Sequence, residues 1–254
     1  MNTAPTYPEP NSLAHVRDSF ARAAGTYAGH AAVQVAMAEW LAEWLPTERS
    51  GRALELGAGT GVFTRHLLPW TGALTATDMA EGMCNEGRAA LPHVPWRVMR
   101  AEAPEREPAC DWIFSSSMLQ WLENPGAVFA AWREALKPGG RVLAGLFVEG
   151  SLPELRELTP GASPLTWRTP AVWDEALEGG GLRRVRSEAS TRVFYQKSAL
   201  DLLRSLHGVG AAPVTQFSPG RLRSVLREYE TRHRDAGGVP ATWVFYRFEA
   251  ERVK

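Results

Sequence analysis

Apolar runs and helix-like stretches alternate through the middle of this chain, and that alternation predicts an open α/β fold. The expected core is a seven-stranded, mostly parallel sheet with helices on both faces. Two further observations support it. The segment Glu55-Leu56-Gly57-Ala58-Gly59-Thr60-Gly61 marks a glycine-rich switch from the first strand to a helix. Asp78 closes the second apolar run, seventeen residues past Gly61, where the carboxyl edge of the neighbouring parallel strand falls.

Residues 1–11, with Pro5, Pro8 and Pro10, read as a disordered N-terminus. Stretches 12–24 and 30–45 read as amphipathic helices, the second stopped by Pro46. Trp40 and Trp44, four apart, share a helix face and read as packing. Alternation then gives strand 52–56, helix 60–68, strand 73–77, helix 80–90, strands 96–100 and 111–116, helix 125–136 and strand 140–147. Lys137-Pro138-Gly139-Gly140 has the chemistry of a turn. Ser151 and Glu154 have the spacing of a capping box at the start of a short helix. A proline-rich loop (Pro160, Pro164, Pro170), a helix near 170–178, strand 182–193, helices 198–207 and 219–233, and a last strand at 241–249 complete the chain. The economical reading is one domain over 12–254, with a helical cap at 12–46 and a helical insertion at 197–238 before the last strand. Both additions would lie above the carboxyl edge of the sheet, where ligands of such folds bind.

The chain has 254 residues, 44% hydrophobic and 22% charged, the composition of an ordinary globular protein with a sizeable core. No apolar run approaches the ~20 residues that span a bilayer. The N-terminus lacks the basic and apolar parts of a signal peptide. Cys84 and Cys110 make no metal-ligand spacing, so no metal is expected, and a reducing, cytoplasmic setting is. Formal net charge is zero, but residues 1–150 hold 12 Lys/Arg against 16 Asp/Glu. From Arg183 to Arg234, 11 basic residues face 4 acidic ones, a patch that can steer an acidic partner or simply form solvated helix faces.

Glycines at alternate positions let a backbone pass close to a nucleoside, because no Cβ blocks the approach. A dinucleotide fingerprint would place its third glycine at position 62, which is Val62. Glu-x-Gly-x-Gly-x-Gly instead resembles the first motif of the Rossmann-like class I S-adenosylmethionine-dependent methyltransferases. That resemblance implies S-adenosyl-L-methionine as cofactor, with Asp78 on the ribose hydroxyls.

Most of the chain, from about Phe20 to Trp243, resembles the malonyl-[acyl-carrier protein] O-methyltransferase family of biotin synthesis. Phe20-Ala21-Arg22-Ala23-Ala24-Gly25-Thr26-Tyr27 is similar to the family's F-x-x-A-A-x-x-Y, and Ser115-Ser116-Ser117-Met118-Leu119-Gln120-Trp121 to its S-N-x-x-x-Q-W. Gly150-Ser151-Leu152-Pro153-Glu154-Leu155 matches G-S-L-x-E-L. Leu203-Arg204-Ser205-Leu206-His207-Gly208-Val209-Gly210-Ala211 resembles L-R-x-L-K-x-x-G-A, and Pro240-Ala241-Thr242-Trp243 resembles P-L-T-Y.

The resemblance implies methyl transfer to the free carboxyl of a malonyl thioester on acyl carrier protein, or on coenzyme A, without nucleic acid or membrane partners. It assigns cofactor binding to Glu55, Gly57, Gly59, Gly61, Asp78, Met79, Glu102 and Ser116. Tyr27, Gln120 and Arg204 are the expected catalytic residues: the first two orient the carboxylate, and Arg204 pairs with it or with the carrier's phosphate. Arg183, Arg184, Arg221 and Arg223 are candidate contacts for the acidic carrier. The chain departs from the family at Arg100, which stands where an aspartate usually meets the adenine amino group, at Ser116 in place of Asn, and at His207 in place of Lys. A carboxyl methyltransferase acting on a free small acid is the alternative, and a non-catalytic binding protein is a third reading.

Overall fold

In the computed structural model, which describes residues 13–107, 109–163, 165–211 and 217–253, strand β1 (Ala53–Leu56) is buried along its whole length. A central strand covered on both faces buries every side chain, here three apolar residues and the carboxylate of Glu55. The expectations for residues 1–11 and Pro164 lie outside the described residues. β1 pairs in parallel with β2 (Leu74–Asp78) on one side and β4 (Cys110–Ser116) on the other. β3 (Trp96–Val98) continues beyond β2, and β5 (Leu136–Phe147) beyond β4, both parallel. β7 (Val239–Glu251) lies antiparallel to β5, and β6 (Arg183–Gln196) forms the far edge, giving the order β3-β2-β1-β4-β5-β7-β6.

Alternating side chains of these strands feed two cores. Leu54, Ile113 and Phe248 meet Phe129 and Trp132 of α5 (Pro125–Ala135) and Trp173 of α7 (Pro170–Gly179) on one face. Ala53, Phe114 and Leu143 meet Ala38 and Leu41 of α2 (Ala32–Ala42) and Leu67 of α3 (Thr64–Leu67) on the other. Of the two N-terminal helices, α1 (Leu13–His30) lies over the cleft, packed on α4 (Glu81–Ala90) and on α8 (Ala199–Gly208), while α2 packs mainly on the sheet and sends Gln34 to the cleft. α6 (Pro153–Leu158) and α9 (Pro219–His233) complete the insertion side.

Four local expectations change. α1 runs six residues past position 24, because Phe20, Ala23, Ala24 and Tyr27 continue one apolar stripe whose burial outweighs the propensity cost of Gly25 and Gly29. The helix expected from residue 60 begins at Thr64, since the preceding residues form the glycine turn. β5 starts at Leu136, so the expected Lys137–Gly140 turn becomes an irregularity within the strand, with a register shift opposite Cys110 and Gly139 at φ +78.

The capping box does not form. Ser151 exchanges hydrogen bonds with the Val244 backbone, and Glu154 accepts from the amide and hydroxyl of Thr242. Both oxygens fasten the start of α6 to β7, and no side chain caps the helix.

Much of the basic excess is spent on structure. Arg183 and Arg186 pair with Glu251 and Glu249 across the β6–β7 edge, and Arg184 with Asp174. Arg183 and Arg184 lie level with Arg141, at the amino end of β5 and so at the opposite end of the sheet from the carboxyl edge. They are removed as contacts for a partner docking at that edge.

Arg247, only 4% exposed, joins three elements. Its guanidinium donates to Glu188 of β6 at 2.6 Å, to Glu43 at 3.0 Å and to the Trp40 carbonyl, and lies 4.1 and 4.3 Å from the ring centroids of Trp40 and Trp44. Both acids are half-exposed or more, so solvent weakens their pairing. The stacking and the buried carbonyl contribute more. Arg247→Ala should destabilise the protein by about 2–3 kcal/mol, lowering Tm by roughly 4–12 °C. Arg247→Lys should recover little of this, because an ammonium cannot lie flat between two rings. Thermal melts of the two variants decide the point.

Candidate functional site

The strand order reverses between β1 and β4, so the loops leaving their carboxyl ends turn apart and leave a cavity of about 840 Å³ including its mouth. The β1–α3 turn forms its floor. Gly57 and Gly59 sit at φ +71 and +57; a Cβ on Gly57 would overlap the Met118 side chain, and one on Gly59 would project into open space. From the opposite side, α1 contributes Phe20 and Tyr27. Phe20 stands edge-on to Trp121 at 5.1 Å, giving the cavity an aromatic roof.

Three carboxylates line this space, Glu55, Asp78 and Glu102, and among the described lining residues there is no Lys, Arg or His. Asp78 accepts from the Gly59 amide at 3.0 Å and the Ala80 amide at 2.8 Å, which locks the glycine turn to the end of β2. Burial still raises its pKa above the usual carboxylate range, because desolvation exceeds those two bonds. Glu55 is 1% exposed and its Oε2 has no hydrogen-bond partner. Burial, aided by the negative charge of Asp78, pushes its pKa up to about 8. The nearby Thr64 hydroxyl favours the ionised form without reaching hydrogen-bond geometry. Tyr27 is buried beside Asp78, and both effects hold its phenol protonated well above the ordinary range.

Eight of the residues singled out by sequence meet in this one cavity: Tyr27, Glu55, Gly57, Gly59, Asp78, Met79, Glu102 and Ser116. Three do not. Gly61 (φ +93) turns away from the cavity, and the space left by its missing side chain is filled by the buried Leu91 and Trp96. Gln120 is buried behind the wall, donating to the Ser117 carbonyl at 2.7 Å. Arg204 is 65% exposed on α8, paired with Asp201 at 3.2 Å. Arg100 does not enter the cavity. It is also exposed, and approaches the outer oxygen of Glu102 at 3.7 Å, while Glu102 Oε2 is buried without a partner.

Two lining residues escaped sequence reasoning. Gln34 of α2 has a buried, unpartnered Oε1, and because it follows the helix break at Ala31 no spacing from Tyr27 marked it. Ser117, the residue after β4, holds a left-handed φ of +57 and leaves its hydroxyl buried and unpartnered. A non-glycine residue in that region stores strain that the Gln120 contact and its own N–H bond to Gly145 maintain.

The donor set fits a cationic nucleoside. Unpartnered acceptors on Glu55, Glu102 and Gln34 call for N–H and O–H donors, and Met79, Met83, Met99 and Met118 supply a deformable apolar bed for a ring.

Comparison with known proteins agrees. Residues 54–144 match the methyltransferase domain family. The chain is 32% identical to a malonyl-[acyl-carrier protein] O-methyltransferase of Hahella chejuensis, covering 90% of this chain and 86% of that protein. It is 30% identical to the biotin biosynthesis bifunctional protein BioHC of Cellvibrio japonicus, over 91% of this chain, and spans 48% of that longer protein. In fold it is similar to geranyl diphosphate C-methyltransferase from Streptomyces coelicolor, solved with S-adenosyl-L-homocysteine (TM-score 0.55, 14% identity, 86% of this chain and 79% of that one).

The raised pKa of Glu55 has a signed consequence. Below pH 4.5 the folded and unfolded chains both hold the proton; between about 4.5 and about 8 the folded ligand-free protein keeps a proton that the unfolded chain releases. Stability therefore falls as pH rises through that window, by at most about 1.4 kcal/mol per pH unit from this group. Glu55→Gln should flatten the decline, which denaturant titrations at pH 5, 6.5 and 8 measure directly.

Proposed function

Because the chain belongs to the malonyl-[acyl-carrier protein] O-methyltransferase family and is an S-adenosylmethionine-dependent methyltransferase, we propose that it methylates the free carboxylate of a malonyl thioester on acyl carrier protein, an early step of biotin synthesis. The observation that carries this reading is the cavity itself: three carboxylates with no basic side chain among its described lining residues, under an aromatic roof. When bound, S-adenosylmethionine supplies an electrophilic methyl group on a positively charged sulfur.

In this reading Asp78 accepts from the ribose hydroxyls, Glu102 Oε2 from the adenine amino group, and Glu55 with Gly57 and Gly59 faces the methionine end. Glu102 thus takes the place of the family's aspartate, and Arg100 stays outside. The substrate carboxylate is already ionised near neutral pH, so no general base is needed. What the chain must do is hold an anionic oxygen in line and keep water out. Tyr27, its phenol kept protonated by burial, donates to that oxygen, and the free polar groups of Gln34 and Ser117 stand on the same cavity. Gln120 acts as a positioning residue that holds the Ser117 turn. Arg204, exposed on α8, suits the carrier's phosphate, and Arg221 and Arg223 on α9 suit the acidic carrier surface. The two buried, unpaired cysteines support a reducing, cytosolic setting. No described helix is long and apolar enough to cross a membrane.

Labelled methyl transfer tests the reading, with malonyl-acyl carrier protein, malonyl-coenzyme A, free malonate and the acetyl carrier compared side by side. Base-labile label on the malonyl carrier is expected; equal turnover of free malonate would replace the proposal with a small-acid methyltransferase. Asp78→Ala should raise the cofactor Kd about 5- to 150-fold, from the loss of about 1–3 kcal/mol of hydrogen bonding. Tyr27→Phe should lower kcat roughly 10-fold while leaving cofactor affinity unchanged, a pattern expected of a group that touches only the substrate.

A further inference from the structure

A second cavity, of about 440 Å³, lies on the same side of the sheet, between α6, the segment that follows it, and the end of α8. Its wall is apolar, with Leu152, Leu155 and Leu206 prominent, but it includes two indoles, Trp167 and Trp243. Trp243 is 5% exposed and packs on Phe147, the last residue of β5, at 4.8 Å between ring centroids. The indole nitrogens of both tryptophans are buried, and neither finds an acceptor among the described residues. An indole N–H can only donate. Two unmatched donors in an apolar wall are therefore a specific request: a neutral ligand with an apolar body and two carbonyl-type acceptors.

The place of the cavity adds to this. Ala211 lines it and packs against the cluster that holds Tyr27 and Val209, and Gly210 lies against Phe20. Phe20 and Tyr27 line the first cavity, so the packing of α1 on residues 209–211 ties the linings of the two spaces together. No Asp or Glu lines the second cavity among its described residues, which disfavours a cation. Its one basic residue, Arg156, is held at 3.1 Å by Glu149, which disfavours a free dicarboxylate.

We propose that the second cavity receives the amide-bearing pantetheine arm of the thioester substrate, with the Trp167 and Trp243 indoles donating to its two amide carbonyls. The arm's methyl and methylene groups match the leucine-lined wall. This inference depends on the thioester reading above and deepens it, since it makes the arm, and not only the carrier protein, a recognised part of the substrate.

The test uses the full chain labelled with ¹⁵N at its ten tryptophans, Trp167→Phe and Trp243→Phe identifying the two indole signals. Titration with pantetheine should shift both signals saturably. Each variant should raise KM for malonyl-pantetheine about 3- to 10-fold, as loss of one neutral hydrogen bond implies, with cofactor Kd unchanged. Indole signals that pantetheine leaves unmoved at millimolar concentration, or KM values equal to the parent's, overturn the proposal. If the malonyl carrier is methylated and the indoles stay unmoved, the cavity assignment falls and the reaction stands. If no malonyl thioester is methylated and both indoles respond, the reaction falls and the cavity assignment stands.

Discussion

Three carboxylates facing one closed space are the constraint on which the rest of the site depends. Each loses hydration on folding, and a desolvated anion must be paired, hydrogen-bonded or protonated. Asp78 takes the second course, and in doing so shapes the floor: the two amides it binds belong to the glycine turn and to the start of α4, so its charge fixes the loops on either side of it. Glu55 takes the third, holding a proton near neutral pH. Glu102 keeps one oxygen unpartnered inside and meets Arg100 outside. The ligand-free cavity is thus complete in shape but unbalanced in charge, and a cation restores the balance. Binding selectivity for a positively charged nucleoside follows from that imbalance before any individual contact is considered.

The roof is organised around α1. This helix packs on α4 beside the floor and on α8 of the insertion, where the Thr26 hydroxyl reaches the Gly208 carbonyl and Ser205 reaches the carbonyl of His30. Aromatic groups that close the first cavity, and the segment that bounds the second, therefore belong to one packed unit. A ligand ordered in either space bears on the position of Phe20 and Tyr27. On the two proposals above, water exclusion at the reacting carboxylate and recognition of the distant arm share the same structural member, so they need not be separate events.

The central strands and the two strand-end acids were legible because their signals are local. Ala53 and Leu54 begin a short apolar strand, Glu55 and Asp78 stand at strand ends, and backbone geometry alone places such ends at the cleft. What sequence could not supply depends on partners far along the chain. Ser151 and Glu154 have the spacing of a cap, yet β7, some ninety residues later, offers them better bonds. Gly61 fits a cofactor motif by spacing, but Leu91 and Trp96 need the room it leaves. The length of α1 hid behind two glycines whose cost is outweighed by burial that becomes visible only once α4 and α8 are in place. Gln34 and Ser117 carry no local mark of function; one faces the cavity across a helix break, and the other owes its role to an unusual φ.

An arginine inside the first cavity would appear the natural partner for an anionic substrate, and its absence from the described lining has a physical reason. Beside Glu55, Asp78 and Glu102 a guanidinium would find acid partners at once. It would neutralise the charge that selects the cofactor and hold the carboxylates in pairs of its own. Placing the positive charge on the cofactor instead lets the same charge attract the substrate oxygen and activate the methyl it receives. In the proposed reading the chain is left to supply neutral donors, Tyr27 above all, which orient an anion without competing for it. The basic residues can then stand outside, on α8 and α9, where under the proposed reading their charge acts through solvent on the carrier and stays clear of the described lining of the reacting site.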